Sequence, residues 1–158
     1  TRRAFAGERR RLRASRSVRS IQRLPLPAGR DAAWVAREYA AWLPRLLWPL
    51  VRVEVDADGS CSFSARPLAR ELLHLRLEPA RSSGERRVFA IDRGALVDGR
   101  APREGRLEFR EVLGGRCVLA AVHDFRPALP WPLYAVTQAR VHAWVMRRFG
   151  RHLAACGA

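Results

Sequence analysis

From Val51 to Phe125 the apolar residues return at every second position, a period that puts alternate side chains on opposite faces of a strand. Val51, Val53 and Val55 alternate with Arg52, Glu54 and Asp56, and Asp58-Gly59 is a strong hairpin turn. Cys61, Phe63 and Ala65 continue on the return strand, and Leu73, Leu75 and Leu77 alternate with His74, Arg76 and Glu78. Ser82-Ser83-Gly84 turns the chain into RRVFAIDRG, and DGRAPREG reads as a loop. Leu107 and Phe109 alternate with Arg106, Glu108 and Arg110. Gly114-Gly115 leads into CVLAAVHDF. Strands in succession, joined by short polar turns, predict an antiparallel meander.

Helical periods flank this region. VRSIQRLPL, residues 18–26, reads as a first strand. Asp31 is then a suitable N-cap for a helix carrying Trp34, Val35, Glu38, Tyr39, Trp42 and Leu43. Pro44 is expected to break that helix, with a short turn carrying Leu46, Leu47 and Trp48. At the other end Pro127, Pro130 and Pro132 close the strand region, and a long helix is predicted over residues 131–153, interrupted only by Gly150. Its face of Tyr134, Gln138, Val141, Val145 and Phe149 should meet the sheet, with Arg140, Arg147 and Arg151 outward. So little of its circumference is polar that burial on more than one side is expected.

A chain of 158 residues is one domain, and 48% hydrophobic against 28% charged residues is a globular balance. All 30 basic residues are Arg, against 15 acids, for a net charge of +15. Total avoidance of Lys points to coding bias, so Arg abundance alone is weak evidence for a nucleic-acid partner. The charge is uneven, with nine Arg and a single acid, Glu8, in the first 23 residues. Residues 1–16 therefore read as a basic arm preceding a domain of residues 17–155. Through Arg9, Arg10, Arg11 and Arg13 the arm could meet an anionic surface, RNA or membrane. It lacks the apolar centre of a secretory signal. Three scattered cysteines, Cys61, Cys117 and Cys156, exclude a disulfide scaffold and a Cys-based zinc site, and suit a cytoplasmic protein.

Two stretches carry a family resemblance. RSIQRLPLPAGRDAAWVAREYAAWLPRLLWPLVRVEV resembles the opening of the START-like (SRPBCC) superfamily, and LPWPLYAVTQARVHAWVMRRFGRHL resembles its C-terminal helix. The superfamily includes lipid-transfer domains, polyketide cyclase-like proteins and pollen-allergen relatives. The resemblance spans residues 17–155 and implies an α+β helix-grip fold. In that fold a curved antiparallel sheet of about six or seven strands wraps a long C-terminal helix. It implies a cavity between sheet and helix but no shared catalytic set.

Within such a cavity Tyr134, Gln138 and His142 would stack at four-residue spacing and orient the polar end of an apolar ligand. The plainer reading is that each satisfies nearby backbone. His123 is in phase with Cys117, Leu119, Ala121 and Phe125 and enters the interior if that face is inward; otherwise it ends a strand near solvent. Trp48 and Trp131, beside prolines, are candidates for the cavity mouth, and Phe109 for its wall with Leu107 and Leu119. His74 should face outward, and His152 should sit beside the carbonyl end of the last helix.

No metal-ligand spacing, P-loop, GxGxxG or GxSxG occurs, so no cofactor or metal is expected. Binding of a lipid, isoprenoid or polyketide-like molecule is the leading expectation. A cyclase- or dehydratase-like enzyme using cavity His or Tyr is the first alternative. Binding of RNA or an anionic membrane through the arm is the second.

Overall fold

A computed structural model describes residues 17–99, 105–128 and 137–157. Seven antiparallel strands form one sheet: β1 (Val18–Pro25), β2 (Val51–Val55), β3 (Cys61–Ala65), β4 (Arg70–Leu77), β5 (Arg86–Arg93), β6 (Arg106–Val112) and β7 (Cys117–Phe125). Their order across the sheet is β1-β7-β6-β5-β4-β3-β2. The meander runs from β2 to β7, and β1 closes on β7 rather than on its chain neighbour. Among the described residues two α-helices, α1 (Ala32–Leu46) and α2 (Gln138–Cys156), accompany the sheet in this α+β fold. The basic arm and the expected first residues of the last helix, Trp131 to Val136, lie outside the described residues.

The pairing register shows which side chains share a face. Val53 opposes Phe63, Phe63 opposes Leu73, and Leu75 opposes Ile91. Phe89 opposes Leu107, Leu107 opposes Val122, and Leu24 opposes Val118. This apolar face carries the helices. Its reverse carries the charges, including Arg86 clamped on Glu108 through two bonds of 2.8 and 3.2 Å.

α1 begins as expected, with the Trp34 N–H donating to Asp31 Oδ1 at 2.6 Å. Glu111 on β6 accepts from the Ala32 N–H at 3.1 Å and ties the helix to the sheet. Pro44 does not end α1, which runs on to Leu46. A proline one turn from a helix end forfeits a single bond, and buried Leu43 holds that turn against the core.

α2 differs from its expectation in two ways. Val145, Met146, Phe149 and Leu153 are buried in a single stripe, so the helix is covered on one side only. Val141, expected to be buried, is 54% exposed, and Trp144 is exposed too. Arg140 and Arg147 face solvent as expected. The two helices meet through Phe149, whose ring lies 5.1 Å from both Tyr39 and Trp42. Such tilted and edge-on pairs add to the burial itself. His152 stacks on Trp42 and its Nε2 lies 2.8 Å from Glu38 Oε1 of α1 and 3.7 Å from Cys156 Sγ at its own helix end.

Candidate functional site

Sheet and helices do not close on each other completely. A cavity of about 240 Å³ lies between them. Tyr39, Leu43 and Leu47, at four-residue intervals, line it from α1 and the turn that follows. Gln138, His142, Val145 and Met146 line it from α2. The sheet contributes Phe63, Leu73, Leu75, Ile91, Leu107, Phe109 and Val122. Val141 lines it as well, and its exposure shows that the cavity reaches the surface there. Val141, one turn before Val145, thus lines the cavity without being buried.

The polar lining is sparse and uncharged. Ser20, Tyr39, Gln138 and His142 are its polar side chains, and no Arg, Asp or Glu joins them among the described residues. The Oε1 atom of Gln138 is buried without a hydrogen-bond partner. Burial lowers the pKa of His142, favouring the neutral imidazole. It raises that of Tyr39 to about 12, so the phenol keeps its proton. The Cys61 thiol is pushed to about 11 by burial, with Asp56 and Asp58 adding to the shift, which leaves no reactive thiolate near neutral pH.

The expected site residues divide into three groups. Gln138, His142 and Phe109 line the cavity together. Trp131 and Tyr134 lie outside the described residues. Trp48 and His123 are not in the lining. Trp48 is 68% exposed, with the Arg66 guanidinium 5.1 Å from its ring centre, although its neighbour Leu47 does reach the cavity.

His123 is on the charged face. Its residue opposes Arg106, and its Nε2 lies 3.8 Å from Glu108 Oε2. Burial, then repulsion by Arg106, lowers its pKa. His123 keeps phase with Cys117, Leu119 and Ala121, and that row faces outward; only Phe125 leaves it, at a bulge. Asp124 adopts φ +50°, and the pairing shifts between Val18 opposite Phe125 and Ser20 opposite Val122. Phe125 therefore turns into the cavity while His123 stays outside, and Leu119, opposite Arg110, stays outside with it. Asp124 is held by Arg19 at 3.1 Å. His74 is on the outer face as alternation requires, but it is only 6% exposed and its Nδ1 lies 2.7 Å from Asp92 Oδ1.

Tyr39, like Ser20, is a polar cavity residue that sequence reasoning missed. Its signal was present: Val35, Tyr39 and Leu43 mark the inner face of α1, and Tyr39 is the polar-tipped member of that row.

No protein-family model matches the chain. The chain is 26% identical over 132 residues to the auxiliary protein GraX of Staphylococcus aureus, a match covering 84% of this chain. It spans only 42% of the length of that relative. Among solved structures, an uncharacterised protein from Bacillus thuringiensis aligns over 87% of this chain and 99% of its own, with a TM-score of 0.51 and 10% identity. Ara h 8.0201 aligns over 88% and 97%, with a TM-score of 0.51 and 11% identity. The fold is thus the helix-grip arrangement.

Proposed function

We propose that this is a START-like domain that binds a small, predominantly apolar molecule between its sheet and its two helices. The observation that carries the reading is the cavity itself, about 240 Å³ with an almost wholly apolar wall that reaches the surface beside Val141. An apolar cavity of about 150 Å³ is enough to hold benzene, so this one suits a molecule of roughly two rings or a medium alkyl chain. Pockets of this make-up bind ligands by apolar contact and orient them through a few polar groups. Native mass spectrometry of the protein purified from its own host should show a retained small molecule. Val122→Phe, which fills the cavity from β7, should release it while leaving the protein folded. Retention of the molecule by the filled variant would place the site elsewhere.

The arm supports a second and separate reading. Nine Arg in the first 23 residues would draw that end of the chain to an anionic surface such as RNA or an acidic membrane. Among the described residues no helix is long and apolar enough to cross a membrane.

A further inference from the structure

We infer that the turns at one end of the β2–β3 hairpin dock this protein on an anionic membrane surface, with Trp48, Leu50 and Leu68 entering the lipid and Arg66 and Arg70 meeting its phosphates. The surface is separate from the basic arm and from the interior of the cavity. Two turns meet there, residues 47–50 between α1 and β2 and residues 66–69 between β3 and β4. The Arg66 N–H donates to the Leu50 carbonyl at 2.8 Å, and the Arg66 guanidinium covers the Trp48 ring. Trp48 is 68% exposed, Leu50 63% and Leu68 84%. Single exposed apolar residues are ordinary on a protein surface, but three large ones on two adjoining turns are not. Turns commonly take Gly, Asn, Asp or Ser, and the turn at the other end of the same hairpin, Asp56 to Ser60, is of that kind.

The charge around the patch decides what covers it. Arg66 and Arg70 are exposed, and neither has a carboxylate partner among the described residues. The nearest acids in sequence are engaged elsewhere, Glu54 with Arg52 at 2.6 Å and Glu71 with Arg93 at 2.9 Å. The opposite end of the hairpin carries Asp56 and Asp58, so an anionic surface attracts one end and repels the other. Lipid phosphates suit the planar guanidinium, an indole ring belongs at headgroup level, and leucines reach the acyl boundary. RNA would meet two leucines that offer no ring for a base to stack on. A stable protein interface takes about 20–30 residues a side, whereas a bilayer needs no matching shape and accepts a small apolar tip. Leu47 and Val51, on either side of that tip, line the cavity, so the turn that meets lipid is also part of the cavity wall.

The test is co-sedimentation of the full chain, at physiological salt, with vesicles of phosphatidylcholine alone and with one quarter phosphatidylglycerol. The anionic vesicles should bind it more tightly. The double variant Leu50→Ser, Leu68→Ser should bind them about tenfold more weakly, the loss expected when two leucines no longer leave water. Its RNA binding should be unchanged, because no charge is altered. Arg70→Gln should lower binding to the anionic vesicles about fivefold and leave phosphatidylcholine binding as it was. Lipid brominated in its acyl chains should quench the tryptophan emission of the full chain, and Trp48→Phe should remove much of that quenching while still binding. Undiminished vesicle binding by the double variant overturns the inference, as does equal loss of vesicle and RNA binding. Equal binding to the two vesicle types, or full quenching in Trp48→Phe, overturns it too. The quenching comparison decides the matter even if the double variant does not fold.

Discussion

Gln138 shows how one atom can separate a structural role from a functional one. Had its amide been satisfying buried backbone, Gln138→Leu would leave a polar group stranded and cost more than about 2 kcal/mol. Its Oε1 has no partner to strand. Gln138→Leu should therefore leave the ligand-free protein unchanged or up to about 1 kcal/mol more stable, as measured by urea denaturation. His142 carries a second prediction. Because burial lowers its folded pKa, the unfolded chain takes up the proton first as pH falls. Stability should be full above the unfolded value near 6.5 and decline as pH drops below it, by at most about 1.4 kcal/mol per pH unit for one proton. No charged group shares the cavity wall to offset this among the described residues, and Tyr39 stays neutral up to about 12. His142→Leu should flatten the acid side of a stability-pH curve. His123, on the other face of the sheet, should contribute a remaining slope of the same sign.

At the level of elements, the seam between α1 and α2 holds the cavity's helical wall in place. Phe149 is fully buried where Tyr39, Trp42 and His152 converge. Phe149→Ala should cost about 3–5 kcal/mol, because a rigid aromatic cluster collapses poorly around the void. The Glu38 to His152 contact at 2.8 Å ties the same seam nearer the surface, with Arg45 also on Glu38 at 3.2 Å. The sheet has its own fixed point at Gly94. Its φ of +128° is open to glycine, and an added Cβ would lie 2.3 Å from the Leu72 carbonyl oxygen. Gly94→Ala should destabilise by more than the ~1 kcal/mol typical of an exposed glycine change, since backbone blocks the new methyl. Thermal melts of the two variants measure both expectations.

For the whole molecule, the net charge of +15 comes from arginines, none of which lines the apolar cavity among the described residues. The two should be separable. Deleting residues 1–16 is expected to leave the melting temperature within about 2 °C of the full chain, because the arm has few apolar residues to bury. The deletion should weaken binding to RNA or anionic vesicles at low salt and leave retention of the small molecule in the cavity untouched. Unchanged RNA and vesicle binding would move the basic surface to the folded domain, where Arg140, Arg147 and Arg151 share the exposed side of α2.

What the amino-acid order determined is what depends on local period and local chemistry. Alternation in Val51–Val55, Cys61–Ala65 and Arg106–Val112 is enough to assign strands and the apolar row that each turns toward the helices. Asp31 and the four-residue rows of α1 are enough to assign a helix. The order of elements then leaves the sheet needing a cover, which made the helix-grip fold legible. Gln138, His142 and Phe109 were legible as cavity residues for the same reason, since each sits within an uninterrupted period. His123 and Val141 were not. CVLAAVHDF is apolar on both faces, so alternation alone does not say which row is inward; His123 goes outward with Leu119, and the bulge at Asp124 then carries Phe125 to the cavity side. Val141 repeats the pattern of Val145, but burial depends on what packs against it, and Val141 lines the cavity and is 54% exposed where Val145 is buried. The cavity exists because the sheet and the helices meet at some places and part at others, and that separation is a property of their packing, written in no segment of the chain alone.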